Sequence, residues 1–358
     1  MLVLGIESSC DETAAAVVRD GRELISSIIS SQIKTHERFG GVVPELASRE
    51  HLVKIVPVVE EAFARAGVSK NDVDGVAVTS GPGLIGSLLV GLSFAKGMAY
   101  ALGRPLVGVN HIEGHIYSVV FENPPVQYPA LALVVSGGHT NLFLVEEPGV
   151  YRTLARTRDD AAGEAFDKVS KMLGLGYPGG PQIERLAADG NERAVHFKIP
   201  QMSDRSLDFS FSGLKTAVTK HLRENGLSVF NSDGEPTRAA KDLAASFQSV
   251  VVRSLITTTE RFAVEHNPRT LIVAGGVACN KSLRQAASEA AMRLGIDVYF
   301  PSPHLSTDNA AMIAAAGTAK LKAGAYSALD LNANATLRLS DVDAETVKLR
   351  QGKARHRL

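Results

Sequence analysis

The sequence predicts an α/β protein of two similar lobes, each a mixed sheet with helices. Three observations carry that reading. Apolar runs of strand length alternate with segments of helical periodicity, the order of elements repeats once, and 358 residues suit two domains better than one. A chain of this size buries roughly three quarters of its unfolded surface, and 45% hydrophobic residues supply ordinary cores. The competing layout on pattern alone is one large dinucleotide-binding-type domain.

The first half opens with strands. Residues 2–7 form a short apolar strand, 14–19 follow a polar turn, and Asp20-Gly21 signals a hairpin into 23–29. Residues 45–66 have helical periodicity, with Pro57 expected to kink or interrupt the helix. A strand at 73–79 meets Ser80-Gly81-Pro82-Gly83, and an apolar helix runs to about Leu102. Gly81, Gly83 and Gly86 satisfy G-x-G-x-x-G, but Pro82 and the lack of an acid at the next strand end weaken a dinucleotide reading. These glycines read as backbone turning and close helix packing. A strand at 105–109 follows, and Asn110 caps a helix through about Phe121.

The second half repeats the order. Residues 130–135 and 141–146 are strands around Ser136-Gly137-Gly138. Helices follow near 164–173, 181–188, 213–224 and 237–265. Then come a strand at 270–274, a helix at 280–294, a strand at 296–300 and a helix at 309–323.

Composition narrows the function. Lys+Arg and Asp+Glu are equal at 38 each, which argues against an autonomous nucleic-acid binder but not against RNA held with a partner's help. Two cysteines, Cys10 and Cys279, exclude a disulfide scaffold and a cysteine zinc site and fit a reducing compartment. The start lacks the basic, long apolar pattern of a signal peptide, so the chain reads as cytoplasmic. The helix from Gly83 to Leu102 carries Ser87, Ser93 and Lys96, and reads as a core helix or part of a subunit surface rather than a membrane span. The last eleven residues hold Lys348, Arg350, Lys353, Arg355 and Arg357 with no acid, a frayed terminus or an RNA-touching tail.

Several constellations can carry chemistry. His111 and His115 stand at i and i+4, where one helix face presents two imidazoles to one divalent metal. The bland alternative is one capping and one core histidine. Glu113 lies about 200° around the helix from His111, so it is not the general base of a zinc peptidase. A third ligand must come from elsewhere; Asp308, before the last helix, is either that carboxylate or an ordinary N-cap. Gly-rich turns at 136–138, 179–180 and 275–276, with the polar turn 8–13, suit a nucleotide cradled between lobes. No Walker lysine and no serine elbow are present.

Five segments stand in an informative order: Gly5-Ile6-Glu7-Ser8-Ser9-Cys10-Asp11-Glu12-Thr13, His111-Ile112-Glu113-Gly114-His115, Val135-Ser136-Gly137-Gly138-His139-Thr140, Phe209-Ser210-Phe211-Ser212-Gly213-Leu214-Lys215-Thr216 and Gly275-Gly276-Val277-Ala278-Cys279-Asn280. Together, from residue 1 to about 340, they closely resemble the bacterial tRNA N(6)-adenosine threonylcarbamoyltransferases, the TsaD family. The resemblance implies two duplicated actin-like (ASKHA) lobes with the active site in the cleft between them. Residues 1–109, completed by the C-terminal helix at about 308–340, would form one lobe, 110–307 the other, and 341–358 a basic tail.

The implied reaction transfers threonylcarbamoyl from threonylcarbamoyl-AMP to the N(6) amine of the adenosine 3′ of the anticodon, in tRNAs reading codons that begin with adenine. Carried over by position, His111, His115 and Asp308 are the ligands of one divalent metal, iron(II) or zinc. Val134, Val135, Ser136, Gly137 and Gly138 form a substrate-binding loop, with Asp167, Gly180, Glu184 and Asn280 as further nucleotide contacts; ATP is a second nucleotide candidate. Glu184 replaces an Asp common in the family. Val134 stands where archaeal and eukaryotic relatives carry a metal-binding Tyr, which leaves coordination positions open. Asp11 and Glu12 are candidates for proton handling or contact with metal-bound water, and the N–H groups of Ser136–Gly138 for holding developing negative charge. Implied partners are tRNA, the paralogous actin-like subunit TsaB and the small ATPase TsaE, with no membrane. The rival readings are an actin-like small-molecule kinase, a nucleotide-dependent scaffold and a metallopeptidase.

Overall fold

A computed structural model describes residues 1–199, 202, 204 and 206–339. The first half builds β1 (Leu2–Glu7), β2 (Glu12–Arg19), β3 (Glu23–Ser31), α1 (Ile33–Glu37), α2 (Pro44–Ala66), β4 (Gly75–Gly81), α3 (Ile85–Leu102), β5 (Leu106–Asn110) and α4 (His111–Tyr117). The second builds β6 (Ala130–Val135), β7 (Thr140–Glu147), β8 (Val150–Arg156), α5 (Ala162–Met172), α6 (Gly179–Ala187), α7 (Ser212–Glu224), α8 (Arg238–His266), β9 (Thr270–Ala274), α9 (Lys281–Leu294), β10 (Asp297–Tyr299), α10 (Pro303–Ser306) and α11 (Ala310–Lys322).

The expected duplication is visible in the sheets. One has the order β3-β2-β1-β4-β5 and the other β10-β9-β6-β7-β8. In each, three strands form an antiparallel meander and two more add in parallel beside its first strand. The hairpin at Asp20-Gly21 forms with both residues at positive φ, 54° and 78°, as a tight primed turn requires.

Alternation places each core. Leu2, Leu4 and Ile6 of β1 point toward α2 and α3, while Val3 points toward α11 with Ala14, Ala16, Ala77 and Val109. On the second sheet, Leu131, Leu133 and Val135 face α5, α6, α8 and α9, and Ala130, Ala132 and Val134 face Ile112 and Ile116 of α4. The layers therefore run α2/α3, first sheet, α11 and α4, second sheet, outer helices. Gly5 permits the tightest of these contacts, since a Cβ there would lie 2.2 Å from the Ala310 carbonyl oxygen.

Two readings needed correction, and the packing role expected of the Gly-rich turn before α3 held. Pro57 does not interrupt α2, which is continuous from Pro44 to Ala66. The strand β8 and the short helix α1 were not anticipated. The G-x-G-x-x-G turn is used for close packing, because a Cβ on Gly83 would sit 2.5 Å from the Ser9 carbonyl oxygen. By length and composition α3 is apolar enough to cross a membrane; here Leu92, Ala95 and Ala99 on one face pack into the first core. The basic tail from Lys348 lies outside the described residues.

Candidate active site

Residues at the carboxyl ends of β1, β5 and β6 approach one another and the residue pair before α11, the position at which open α/β sheets hold ligands. Asn110 ends β5 and caps α4, its Oδ1 accepting from the Ile112 N–H at 2.9 Å. That cap starts the helix at His111 and stacks His115 one turn on, their rings 4.7 Å apart and edge to face. Asp308 comes from the other end of the chain. Its Oδ1 lies 3.4 Å from His111 Nε2 and 3.2 Å from His115 Nε2. The role of N-cap falls to Asn309, whose side chain accepts from the Met312 N–H, so the Asp308 carboxylate is left to the histidines.

The donor set suits a divalent metal. One ligand atom from each of His111, His115 and Asp308 lies within 4.8 Å of the others. His115 is fully buried; its Nδ1 has no hydrogen-bond partner, and its Nε2, though 3.2 Å from Asp308 Oδ1, makes no well-directed hydrogen bond. A buried imidazole so poorly satisfied is costly, and a cation held between the two histidines and Asp308 would satisfy it. Behind His111 stands Glu7, at the end of β1 and 1% exposed. Its Oε2 lies 3.0 Å from His111 Nδ1 and accepts from Thr79 Oγ1 at 2.7 Å, while Oε1 accepts from the Ser9 N–H. A carboxylate on Nδ1 turns Nε2 toward the site as the free donor atom.

Charge around this cluster is out of balance. Burial opposes ionisation of Asp308, but His111 holds its carboxyl well below the ordinary range. Burial also works against the His111 cation, and Asp308 and Glu7 overcome it, raising that imidazole well above its usual value. Burial, followed by Asp308, pushes the Asp11 carboxyl up. Burial and Asp11 push Glu12 up to about 8. Glu7 and Asp308 stay ionised against one His111 cation, so a phosphate ester meets net negative charge there unless a further cation intervenes.

The Ser-Gly-Gly turn leaves β6 on the second lobe. The Ser136 N–H donates to the His139 carbonyl at 2.8 Å, so it is spent on the turn rather than on a ligand, which corrects the expectation for its oxyanion role. Gly137 and Gly138 are exposed, whereas the Val134 and Val135 side chains are fully buried in the sheet. Asp167 on α5 accepts from the Gly179 N–H at 2.6 Å; burial pushes it up to about 6. Gly180 follows in the same turn, with open space where its Cβ would stand. Asn280 caps α9 and donates to Gln248 Oε1 at 2.7 Å. Glu184 Oε1 accepts from the Lys281 N–H at 2.6 Å, so it ties α6 to α9. From Glu184 and Lys281 a groove of about 680 Å³ runs between α6, α8 and α9; none of His111, His115 and Asp308 lines it.

A family profile described as "TsaD: tRNA N6-adenosine threonylcarbamoyltransferase" matches residues 23–315. The chain belongs to the TsaD family. A tRNA N6-adenosine threonylcarbamoyltransferase of Geotalea uraniireducens is 55% identical over 333 residues, 93% of this chain and 95% of the relative. That of Koribacter versatilis is 50% identical over 376 residues, with 94% and 99% covered. Among solved structures, HypF of T. kodakarensis superposes with a TM-score of 0.61 at 13% identity, covering 92% of this chain and 49% of HypF. Component A of the Acidaminococcus fermentans (R)-2-hydroxyglutaryl-CoA dehydratase gives 0.54 at 15% identity, with 90% and 99% covered. At such identities these likenesses show the fold, two actin-like α/β lobes, and nothing about activity.

Within this TsaD-family chain, the structure brings the two histidines and Asp308 together; Asp11 feels the Asp308 charge, and Glu12 is tied to β3, its Oε1 accepting from Ser31 Oγ at 2.9 Å. The structure sets Asp167, Gly180, Glu184 and Asn280 around the turns of the second lobe. Sequence reasoning missed Glu7 and His139. Burial, and then His111, hold the His139 imidazole down to about 4, so a neutral ring faces His111 at 6.3 Å between centroids. An acid closing an otherwise apolar strand was the available signal for Glu7.

Proposed function

We infer that this chain transfers the threonylcarbamoyl group of threonylcarbamoyl-AMP to the N(6) amine of the adenosine 3′ of the anticodon, in tRNAs that read codons beginning with adenine. The observation that carries the reading is the buried His111–His115–Asp308 trio, backed by Glu7, between the two sheets of a TsaD-family chain. His111, His115 and Asp308 would hold one divalent metal, iron(II) or zinc, which supplies a Lewis acid toward phosphate or carbamoyl oxygens. The lobe division at residues 1–109 with 308–340, and 110–307, belongs to the same proposal.

The chemistry forms a bond from the adenosine amine to the carbamoyl carbon and breaks the carbon–oxygen bond to AMP, which leaves with its electron pair. The proton from the amine needs an acceptor, and Glu12 is assigned that role, with Asp11 beside it. Burial, and then Asp11, push that carboxyl up to about 8, so it must ionise before it can accept a proton, and a cation that balances Asp11 and Asp308 favours that ionisation. Gly137 and Gly138 give the acyl phosphate access to backbone without a Cβ in the way. Val134 and Val135 carry that turn rather than touch substrate. Asp167, Gly180, Glu184 and Asn280 border the nucleotide, which is threonylcarbamoyl-AMP, with ATP as the alternative occupant. Because an adenine amine is a weak nucleophile, holding it against the carbonyl supplies much of the acceleration.

TsaB and TsaE are the proposed protein partners in a cytoplasmic complex. Leu52, Val53 and Val56 on α2, with Ile85 and Leu89 on α3, are exposed apolar side chains that suit such a surface. The test combines this chain with these partners, threonylcarbamoyl-AMP and unmodified tRNA, and measures modified adenosine by mass spectrometry. Modified adenosine is expected, and its loss in His111→Ala; full activity and metal content in that variant would remove the metal from the reading.

A further inference from the structure

Glu113 sits between the two histidines in sequence and on the opposite face of α4, and the reaction as derived gives it no task. It is nevertheless 2% exposed. Its Oε2 pairs with Lys320 Nζ at 2.9 Å, and its Oε1 accepts from Tyr151 Oη at 3.1 Å. Lys320 belongs to α11, which packs on the first sheet, and Tyr151 to β8 of the second sheet. One carboxylate thus ties the helix that bears both histidines to both lobes.

The arrangement along α11 gives the tie a purpose. Asp308, just before α11, meets the histidine face of α4, while Lys320, ten residues into the helix and roughly 15 Å from its start, meets the opposite face. Between them the helices touch directly: a Cβ on Gly114 would lie 2.8 Å from Ile313 Cδ1 and 3.1 Å from Met312 Cγ. Rolling α4 about its axis to bring the histidines nearer Asp308 therefore pulls Glu113 away from Lys320, and the reverse roll does the opposite. With seven residues, α4 has little stiffness of its own.

We propose that Glu113, clasped by Lys320 and Tyr151, is a positioning residue that fixes the roll of α4 between the lobes and so the spacing of His111 and His115 to Asp308. The inference rests on the reading of that trio as a metal site. Buried ion pairs serve specificity of geometry better than net stability, which suits this use.

The experiment titrates zinc(II) against a chromophoric chelator in the full-length protein and follows hydrogen exchange of α4. Glu113→Gln and Lys320→Met are each expected to weaken zinc binding about tenfold, the scale for groups that orient metal ligands, and to raise exchange in α4. The double variant should be no weaker than either single one, because both break the same tie. Lys322→Met, on the exposed end of α11, should match wild type. Wild-type zinc affinity in folded Glu113→Gln, whatever its melting temperature, overturns the proposal, as do additive losses in the double variant. Where those variants fail to fold, Tyr151→Phe removes only a hydroxyl and should weaken binding about threefold; no change there also overturns it. If His111→Ala binds zinc as wild type does, the metal reading itself has failed, a result distinct from the failure of the clasp.

Discussion

Replacing Glu7 by Gln tests how far the metal trio depends on its support. The amide has the same shape but only one acceptor oxygen. With that oxygen toward the Ser9 N–H, the NH2 group faces Thr79 Oγ1 and His111 Nδ1, forcing His111 to accept at Nδ1 and carry its proton on Nε2, where ligation is blocked. With the amide flipped, the NH2 group meets the Ser9 N–H donor inside a pocket where Glu7 is 1% exposed. An unmet buried donor costs about 1–3 kcal/mol. Loss of a group that orients a metal-ligating histidine weakens binding about 10–100-fold, or roughly 1.4–2.7 kcal/mol. The two routes to a magnitude agree. A zinc(II) competition titration at neutral pH reads the affinity, with circular dichroism to check folding. A folded Glu7→Gln protein that binds zinc within twofold of wild type would refute the orienting role of Glu7.

The other predictions follow from single features. Glu12→Gln should lower the transfer rate about 10²–10⁴-fold with tRNA binding unchanged; a near-normal rate would move the proton acceptor elsewhere. The Glu12 carboxyl, at about 8 when folded against 4.5 for an ordinary glutamate, holds its proton more tightly in the folded chain. Its contribution to stability in the metal-free protein is therefore full below about pH 4.5 and lost as pH rises through 8. Glu12→Gln should flatten the fall in melting temperature over that window, worth roughly 2 kcal/mol after allowance for solvent screening, and an unchanged slope counts against it. Gly5→Ala should destabilise by about 2–4 kcal/mol, since its methyl meets the backbone of α11; chemical denaturation measures this. Deleting Lys348–Leu358 should weaken tRNA binding and flatten its salt dependence, and an intact salt slope would leave the tail as an unengaged terminus.

Much of the fold was legible because each half repeats a simple pattern. Residues 270–274 were expected as a strand and form β9 with those bounds. The strand β8 was missed because Val150–Arg156 sits at a sheet edge, where Arg152, Thr153 and Arg156 face water and dilute the apolar alternation. The short helix α1 lacks the length for a periodicity to emerge. Of the site, the histidine spacing was visible, because an i, i+4 pair is a local property of one helix. Asp308 stood open between ligand and cap until the neighbouring Asn309 was seen to take the cap. Glu7 and the Glu113–Lys320 pair depend on which elements face each other across the layers, and no local pattern encodes that. Ser136 was misjudged for a related reason: its N–H is claimed by a turn whose closure depends on His139.

The placement of Asp308 and α11 also matters while the chain is being made. The first sheet is complete once β5 has emerged, but the helix that covers Val3, Ala14, Ala16 and Ala77 arrives only after the whole second lobe. A nascent chain therefore carries a bare apolar sheet face, and both histidines, for most of its synthesis. The carboxylate that completes the trio and the helix that shields the sheet emerge together. A prematurely terminated product lacks both, so it should aggregate or be degraded rather than persist as a half-assembled metal binder.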